Sequence, residues 1–512
     1  MAAARGDGLR AGGAAVTAGR RRPAPSCMAA LVASLAAGCA VGPDFKRPAA
    51  PDVKDYLATP ASATVAAAGP GGEAQRFLRG SDVSADWWTL FHSQPLNDLI
   101  AESLAKNPDL KAARAALSAA HESVLAERGV YYPSVTAGAS ALRASQSTSL
   151  APVPNATLFT YNVFTPQVSV AYVPDVFGLN RRTVESAQAQ ADAARYQMIA
   201  TYNTLIANVV VAAIQDASVQ SQIEATRELI ELNTRTLHIL EYQFDKGYAS
   251  KLDVAAQESQ LAQVSATLPP LLKQSGQLRD LLATLAGRFP SQSPAGPLDL
   301  ASLELPQDLP VSLPSDLVAQ RPDVLQAEAN LHAASARVGI AIANRLPSIT
   351  LGANAGSAAL ALNQLFTSAT NFWALTGDAT APIFEGGALL HAERGARDAY
   401  QEAAEQYRST VLTAFQNVAD TLTALEQDAE GLKAAATATA AARTTLDLAQ
   451  RQWQDGYAGY LVLLTAEQAY QQARIALVQA QASRYADTAA LFQALGGGWW
   501  HRADLAADKH GS

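Results

Sequence analysis

Apolar residues recur every seven positions over two long stretches of the chain, and the two stretches echo each other. Ile223, Ile230, Leu237 and Phe244 form one series, and Leu432, Thr439, Leu446 and Trp453 form its counterpart. Beyond Gly247 the period resumes with Val254, Leu261 and Leu268, and beyond Gly456 with Leu463, Tyr470 and Leu477. A strict heptad keeps one apolar stripe against a partner helix and imposes a left-handed supercoil. No proline falls between Pro174 and Pro269 or after Pro382, so nothing in those stretches breaks a helix. A helix of roughly 65 residues is about 100 Å long. The pattern therefore predicts two long antiparallel helical hairpins that reverse at Gly247 and Gly456.

The repetition extends beyond the heptads. Asn107-Pro108-Asp109-Leu110 and Arg321-Pro322-Asp323-Val324 each open an alanine-rich helical stretch. Pro133-Ser134-Val135-Thr136 and Pro347-Ser348-Ile349-Thr350 follow them at the same spacing, so both motif pairs share an offset of 214. Phe244 to Ala249 matches Trp453 to Ala458 at an offset of 209. Two tandem copies are too few for a solenoid and imply a pseudo-symmetric module. Between the short and the long helix of each copy, polar and apolar residues alternate, as in Gln167 to Val173 and Ser348 to Asn354, which predicts two strands per copy within 134–176 and 348–383. Alternation alone fits a transmembrane barrel strand and a soluble hairpin packed on the helices equally well. Four strands cannot close a barrel, which needs about eight; a dimer would supply eight and a trimer twelve.

Composition narrows the class. Of 512 residues, 49% are hydrophobic and 16% charged, too apolar for a disordered chain. No run of 18 apolar residues follows the N-terminal region, so a membrane role would have to use strands. The formal charge is -8, and residues 1–38 carry five Arg against one Asp, which leaves -12 on the rest and argues against nucleic acid as a partner. Cys27 and Cys39 are the only cysteines and make no disulfide framework. Arg20-Arg21-Arg22, the apolar stretch Met28 to Ala37 and the small residues before Cys39 resemble a lipoprotein signal peptide, in which Cys39 is acylated and begins the mature chain. An ordinary signal peptide with an incidental cysteine is the other reading. The seven histidines show no metal-ligand spacing and read as solvated helix residues, and neither a GxSxG elbow nor a GxxxxGK loop is present. Gly496-Gly497-Gly498 follows a helix and reads as its stop. The expectation is a protein that is not an enzyme and has no cofactor or metal.

Taken together, these features resemble the TolC-like outer-membrane efflux factors, in their NodT-type lipoprotein branch. The marks are Cys39-Ala40-Val41-Gly42-Pro43-Asp44, Trp87-Trp88-Thr89-Leu90-Phe91, the doubled Pro-Asp and Pro-Ser motifs, Ile383-Phe384-Glu385-Gly386-Gly387 and Ala494-Leu495-Gly496-Gly497-Gly498-Trp499. The resemblance implies a mainly α fold with a small membrane β part: a homotrimer whose 12-stranded β-barrel is joined to an α-helical periplasmic tunnel. It implies a channel lipoprotein in the outer-membrane lipid that passively exports drugs or other small molecules. Its partners would be a periplasmic adaptor and an inner-membrane pump of the RND type. The corresponding layout is a signal peptide at 1–38, an N-terminal equatorial segment at 39–90, a first repeat at 91–289, a Pro-rich equatorial linker at 290–316, a second repeat at 317–495 and a tail at 496–512. It also places a periplasmic gate at the helix reversals, with Phe244, Asp253, Trp453, Val462, Leu463 and Thr465 as candidate lining residues. Asp253 matches the carboxylate that commonly lines this constriction in the family, while Val462 and Thr465 stand where relatives often carry Asp; alternatively, Asp253 simply caps its helix. A trimeric surface or periplasmic coiled-coil scaffold or adhesin is the alternative function.

Overall fold

The computed structural model describes residues 40–60, 62–145, 160–292 and 299–506, so Cys27, Cys39 and the signal segment lie outside the described residues. The chain forms two compact units. Of the described residues, one is built from those within 131–181 and 343–382 with Ala40 and Val41, the other from those within 42–130, 182–342 and 383–506.

The helical unit carries the repeat. Helices α1 (Gln94–Lys106) and α2 (Pro108–Arg128) precede the first hairpin, α3 (Leu179–Asp245) and α4 (Lys251–Leu285). Helices α5 (Pro314–Gln320) and α6 (Pro322–Ala343) precede the second, α7 (Ala388–Gln454) and α8 (Tyr460–Ala494). Both ends of each hairpin helix recur 209 residues on, 179 and 245 becoming 388 and 454, 251 and 285 becoming 460 and 494. Cross-links run between the antiparallel partners: Gln257 donates to the Asn233 carbonyl at 2.7 Å and Ser275 to Asp216 at 2.9 Å, while Thr439 donates to the Ala473 carbonyl at 3.0 Å. Burial along the heptad seam varies. Ile223, Leu432 and Leu446 are buried, Ile230 and Leu237 half-buried, and Phe244 near the turn is exposed.

Two details depart from the sequence reading. Helix α4 runs on through Pro269 and Pro270 to Leu285, beyond the proline-free stretch that the sequence marks for unbroken helix. The flanking residues Leu268, Leu271 and Leu278 pack against Val219 and Ile223 of α3, and this packing offsets the two missing backbone donors. Within α3, one 18-residue window is apolar enough on average to cross a bilayer, and 67% of it is buried inside the chain, so its apolar side chains serve packing.

A short parallel pair, β1 (Arg76–Arg79) with β4 (Asp308–Val311), ties the N-terminal segment to the linker between the repeats. The fully buried Arg484 of α8 fastens this region by donating to the Leu425 and Glu73 carbonyls at 2.9 and 3.1 Å. The Trp87 to Phe91 motif is core, with Trp87 stacked on Phe492 at 5.1 Å. Arg321, next to the second Pro-Asp motif, donates to Asp323 through two nitrogens and reaches the Ala494 carbonyl at 3.0 Å. Gly496, Gly497 and Gly498 all take positive φ and end α8, as read from the sequence. One histidine departs from the solvated reading: His332 stacks on Phe45 at 4.3 Å and bonds Glu185 at 2.9 Å.

The other unit is a four-stranded antiparallel sheet in the order β2 (Ser134–Ser145), β3 (Thr160–Tyr172), β5 (Ser348–Ser357), β6 (Asn371–Thr380). The hairpin of each copy is predicted by alternation; the β3–β5 pairing that fuses them is a new finding. Its register continues past Pro166, which has no N–H to give, because Phe164 and Ala359 exchange bonds of 2.8 and 3.0 Å on the far side.

Candidate functional site

The register sorts the sheet into two chemically distinct faces. On one lie Val135, Ala137, Ala139 and Ala141 of β2, opposite Val170, Val168, Pro166 and Phe164 of β3. The same face continues through Leu351, Ala353 and Ala355 of β5 to Gly377, Leu375 and Trp373 of β6. Polar residues enter it at the end where the hairpin loops begin, with Arg143, Asn162, Ser357 and Asn371. Trp373 and Leu375 are about three-quarters exposed, so none of the described residues covers this face there. From Phe164 to Tyr172 it runs about 26 Å along the strand, which at the tilt of barrel strands spans about 20 Å, most of the apolar band of an outer-membrane barrel.

The opposite face is small and polar away from the hairpin loops, with Ser134, Thr136, Gly138 and Ser140; Gln167 and Ser169; Ser348, Thr350, Gly352 and Asn354; Thr376, Asp378 and Thr380; toward the loops it turns apolar, with Leu142, Tyr161, Val163 and Phe372. Among the described strands, β2 and β6 each have a partner on one side only. The sheet thus has an apolar face, a polar face and two open edges. That combination fits neither water, where the apolar face is costly, nor lipid, where an unpaired edge is costly.

The second candidate region is the pair of helix reversals, built alike in both copies. Gly247 and Gly456 adopt φ of 78° and 76°, which a side chain would strain. Tyr248 N donates to the Gln243 carbonyl and Tyr457 N to the Gln452 carbonyl, each at 2.8 Å, closing the two turns identically. The restarts differ. Ser250 and Asp253 form a capping box: the Ser250 hydroxyl accepts from Asp253 N at 3.1 Å, and the Asp253 carboxylate accepts from Ser250 N at 3.0 Å. In the second copy Gly459 stands at the cap without a side-chain bond.

The six candidate gate residues do not share one environment. Phe244, Val462 and Thr465 are exposed, and Asp253 is half-buried in its capping box. Trp453 is half-buried, edge-on to Tyr460 at 6.3 Å. Leu463 is 2% exposed, packed with Leu240, Leu446, Ala449 and Tyr460, because it lies on the heptad face that closes the hairpin. In a single chain it belongs to the seam.

A buried polar layer beside the turns escaped the sequence reading. Gln257, with no exposed surface, donates to the carbonyl and side-chain oxygens of Asn233, and the Tyr460 hydroxyl donates to the Gln257 side-chain oxygen. Glu467 is buried in the same region, and burial pushes its carboxyl up to about 7. Tyr460, Leu463 and Glu467 share one helical face by their spacing of three and four, the signal that could have found the layer.

The comparisons agree with this geometry. The family described as "Outer membrane efflux protein" matches residues 99–288 and 313–497, one block per repeat. The toluene efflux pump outer membrane protein TtgC of Pseudomonas putida is 29% identical over 93% of this chain and 96% of its own length. The pyoverdine export outer membrane protein OpmQ of Pseudomonas putida is 30% identical over 86% of this chain and 94% of its own. The solved outer-membrane channel OprN superposes with a TM-score of 0.81 at 28% identity, over 90% of this chain and all of that one. The chain belongs to the outer membrane efflux protein family. Its place is the outer membrane, as the channel component of an efflux system, and nothing in these likenesses favours the scaffold or adhesin alternative.

Proposed function

We propose that three copies of this chain join their sheets edge to edge, β6 of one against β2 of the next, as a twelve-stranded barrel through which an inner-membrane pump exports small molecules. The observation that carries this reading is the two-faced sheet with two open edges: lipid takes the apolar face, and only closure with further copies pairs β2 and β6. The six long hairpins of such a trimer form a periplasmic tunnel. A periplasmic adaptor and a pump of the RND type supply selection and energy, and the channel itself is passive and performs no catalysis. The relatives named for toluene and pyoverdine point to varied small organic cargo. Segments 39–90 and 290–316 and the tail after 496 form the equatorial belt around the tunnel, and Cys39 carries the lipid once residues 1–38 are removed. The turns at Gly247 and Gly456 form the periplasmic constriction, lined by Asp253, Phe244, Val462 and Thr465. Purified protein added to planar lipid bilayers tests the reading: discrete conductance steps are expected, and a protein that assembles without conducting would return it to the scaffold class.

A further inference from the structure

Asp378 is the one charged side chain on the polar face among the described strand residues. It stands opposite Thr350, with Thr376 and Thr380 as its neighbours on that face of β6. Position 169, the residue 209 places earlier in the first copy, is a serine on the same face. Asp378 is exposed, and no hydrogen bond or ion pair ties it to another side chain in the described structure. A strand built to pair needs no carboxylate there; Ser, Thr and Asn fill the corresponding positions elsewhere on the face.

We infer that Asp378 is a charge-selectivity residue of the barrel, setting a preference for cations and cationic solutes that is independent of the helical turns. The inference rests on the channel reading above and adds to it. In a threefold barrel the polar face lines the lumen, so three Asp378 carboxylates stand at one level. Low-dielectric walls focus their field along the water-filled axis, and no basic residue stands on the same face among the described strand residues. Substrate charge would then be weighed twice on the way out, at the periplasmic constriction and again inside the membrane.

The permeability ratio of potassium to chloride, read from reversal potentials in a salt gradient, tests this. Asp378→Asn should lower the ratio by about threefold in 0.1 M salt, screening included, and Asp378→Ser, which copies the first repeat, should do the same. The body of the chain has no cysteine after Cys39, so a single new thiol can be labelled cleanly. Asp378→Cys should react with a membrane-impermeant anionic thiol reagent and regain cation preference, whereas Leu375→Cys on the apolar face should not react. Variants that conduct with an unchanged ratio, or an Asp378→Cys thiol closed to the reagent while Leu375→Cys is labelled, would overturn the inference and leave the channel intact. Absence of conductance in the unmodified protein would instead overturn the channel reading.

Discussion

Gly287 lies against the carbonyl of Lys106: a Cβ on it would come within 2.7 Å of that oxygen, and its φ is 70°. The second copy repeats the relationship, with Gly496 at φ 99° beside the Gln320 carbonyl. Each glycine ends a hairpin's second helix where the short helices of its own repeat meet it. Gly287→Ala would have to hold a left-handed conformation and also displace backbone, so it should cost about 2 kcal/mol or more. The check is thermal unfolding, where this variant should melt clearly below the parent, and a melting curve equal to the parent's would show that the junction yields.

The buried Glu467 makes the second hairpin sensitive to pH. Its carboxyl is raised to about 7 in the folded chain, so between the ordinary carboxylate range and pH 7 the folded state holds a proton that the opened state releases. Stability of the hairpin end therefore falls as pH rises through that window and stays low above it. The loss is on the order of 2 kcal/mol. Limited proteolysis at the turns should be faster at pH 8 than at pH 5.5 once the protease's own pH dependence is corrected, and Glu467→Gln should remove the difference.

Much of this was legible in the chain itself. The offsets 209 and 214 located both hairpins, because helices of this length leave a heptad trace and a fixed glycine at each reversal. Other features depend on the fold. The proline pair at 269 and 270 suggests a break by local rules, yet α4 continues because packing on α3 outweighs two lost donors. Alternation in each strand did not show which faces coincide across four strands, since that depends on the β3–β5 register. Leu463 stood in the heptad series as well as among the gate candidates, and its burial in the hairpin agrees with the heptad. Asn233 and Gln257 come together from 24 residues apart, a polar pairing that no periodicity announces.

Asp253 faces two demands, its capping box with Ser250 and the proposed constriction. Asp253→Ala should lower cation selectivity and weaken block by divalent ions in single-channel recordings, beyond a capping loss of about 1 kcal/mol. If an assembled Asp253→Ala channel keeps its selectivity and block, Asp253 serves its helix alone and the constriction is left to Val462 and Thr465.

The proposed lipidation rests on Cys39, the cysteine that follows the signal-like segment. Metabolic labelling with palmitate should mark the parent and leave Cys39→Ser unlabelled. Equal incorporation in the two would remove the lipoprotein assignment without touching the barrel.

The central claim is that a sheet of four strands with open β2 and β6 edges is one third of a barrel. Native mass spectrometry of the detergent-extracted protein tests it most directly. Three chains per particle are predicted, held together after the detergent is stripped; a stable monomer, or a particle of two chains, would contradict the account.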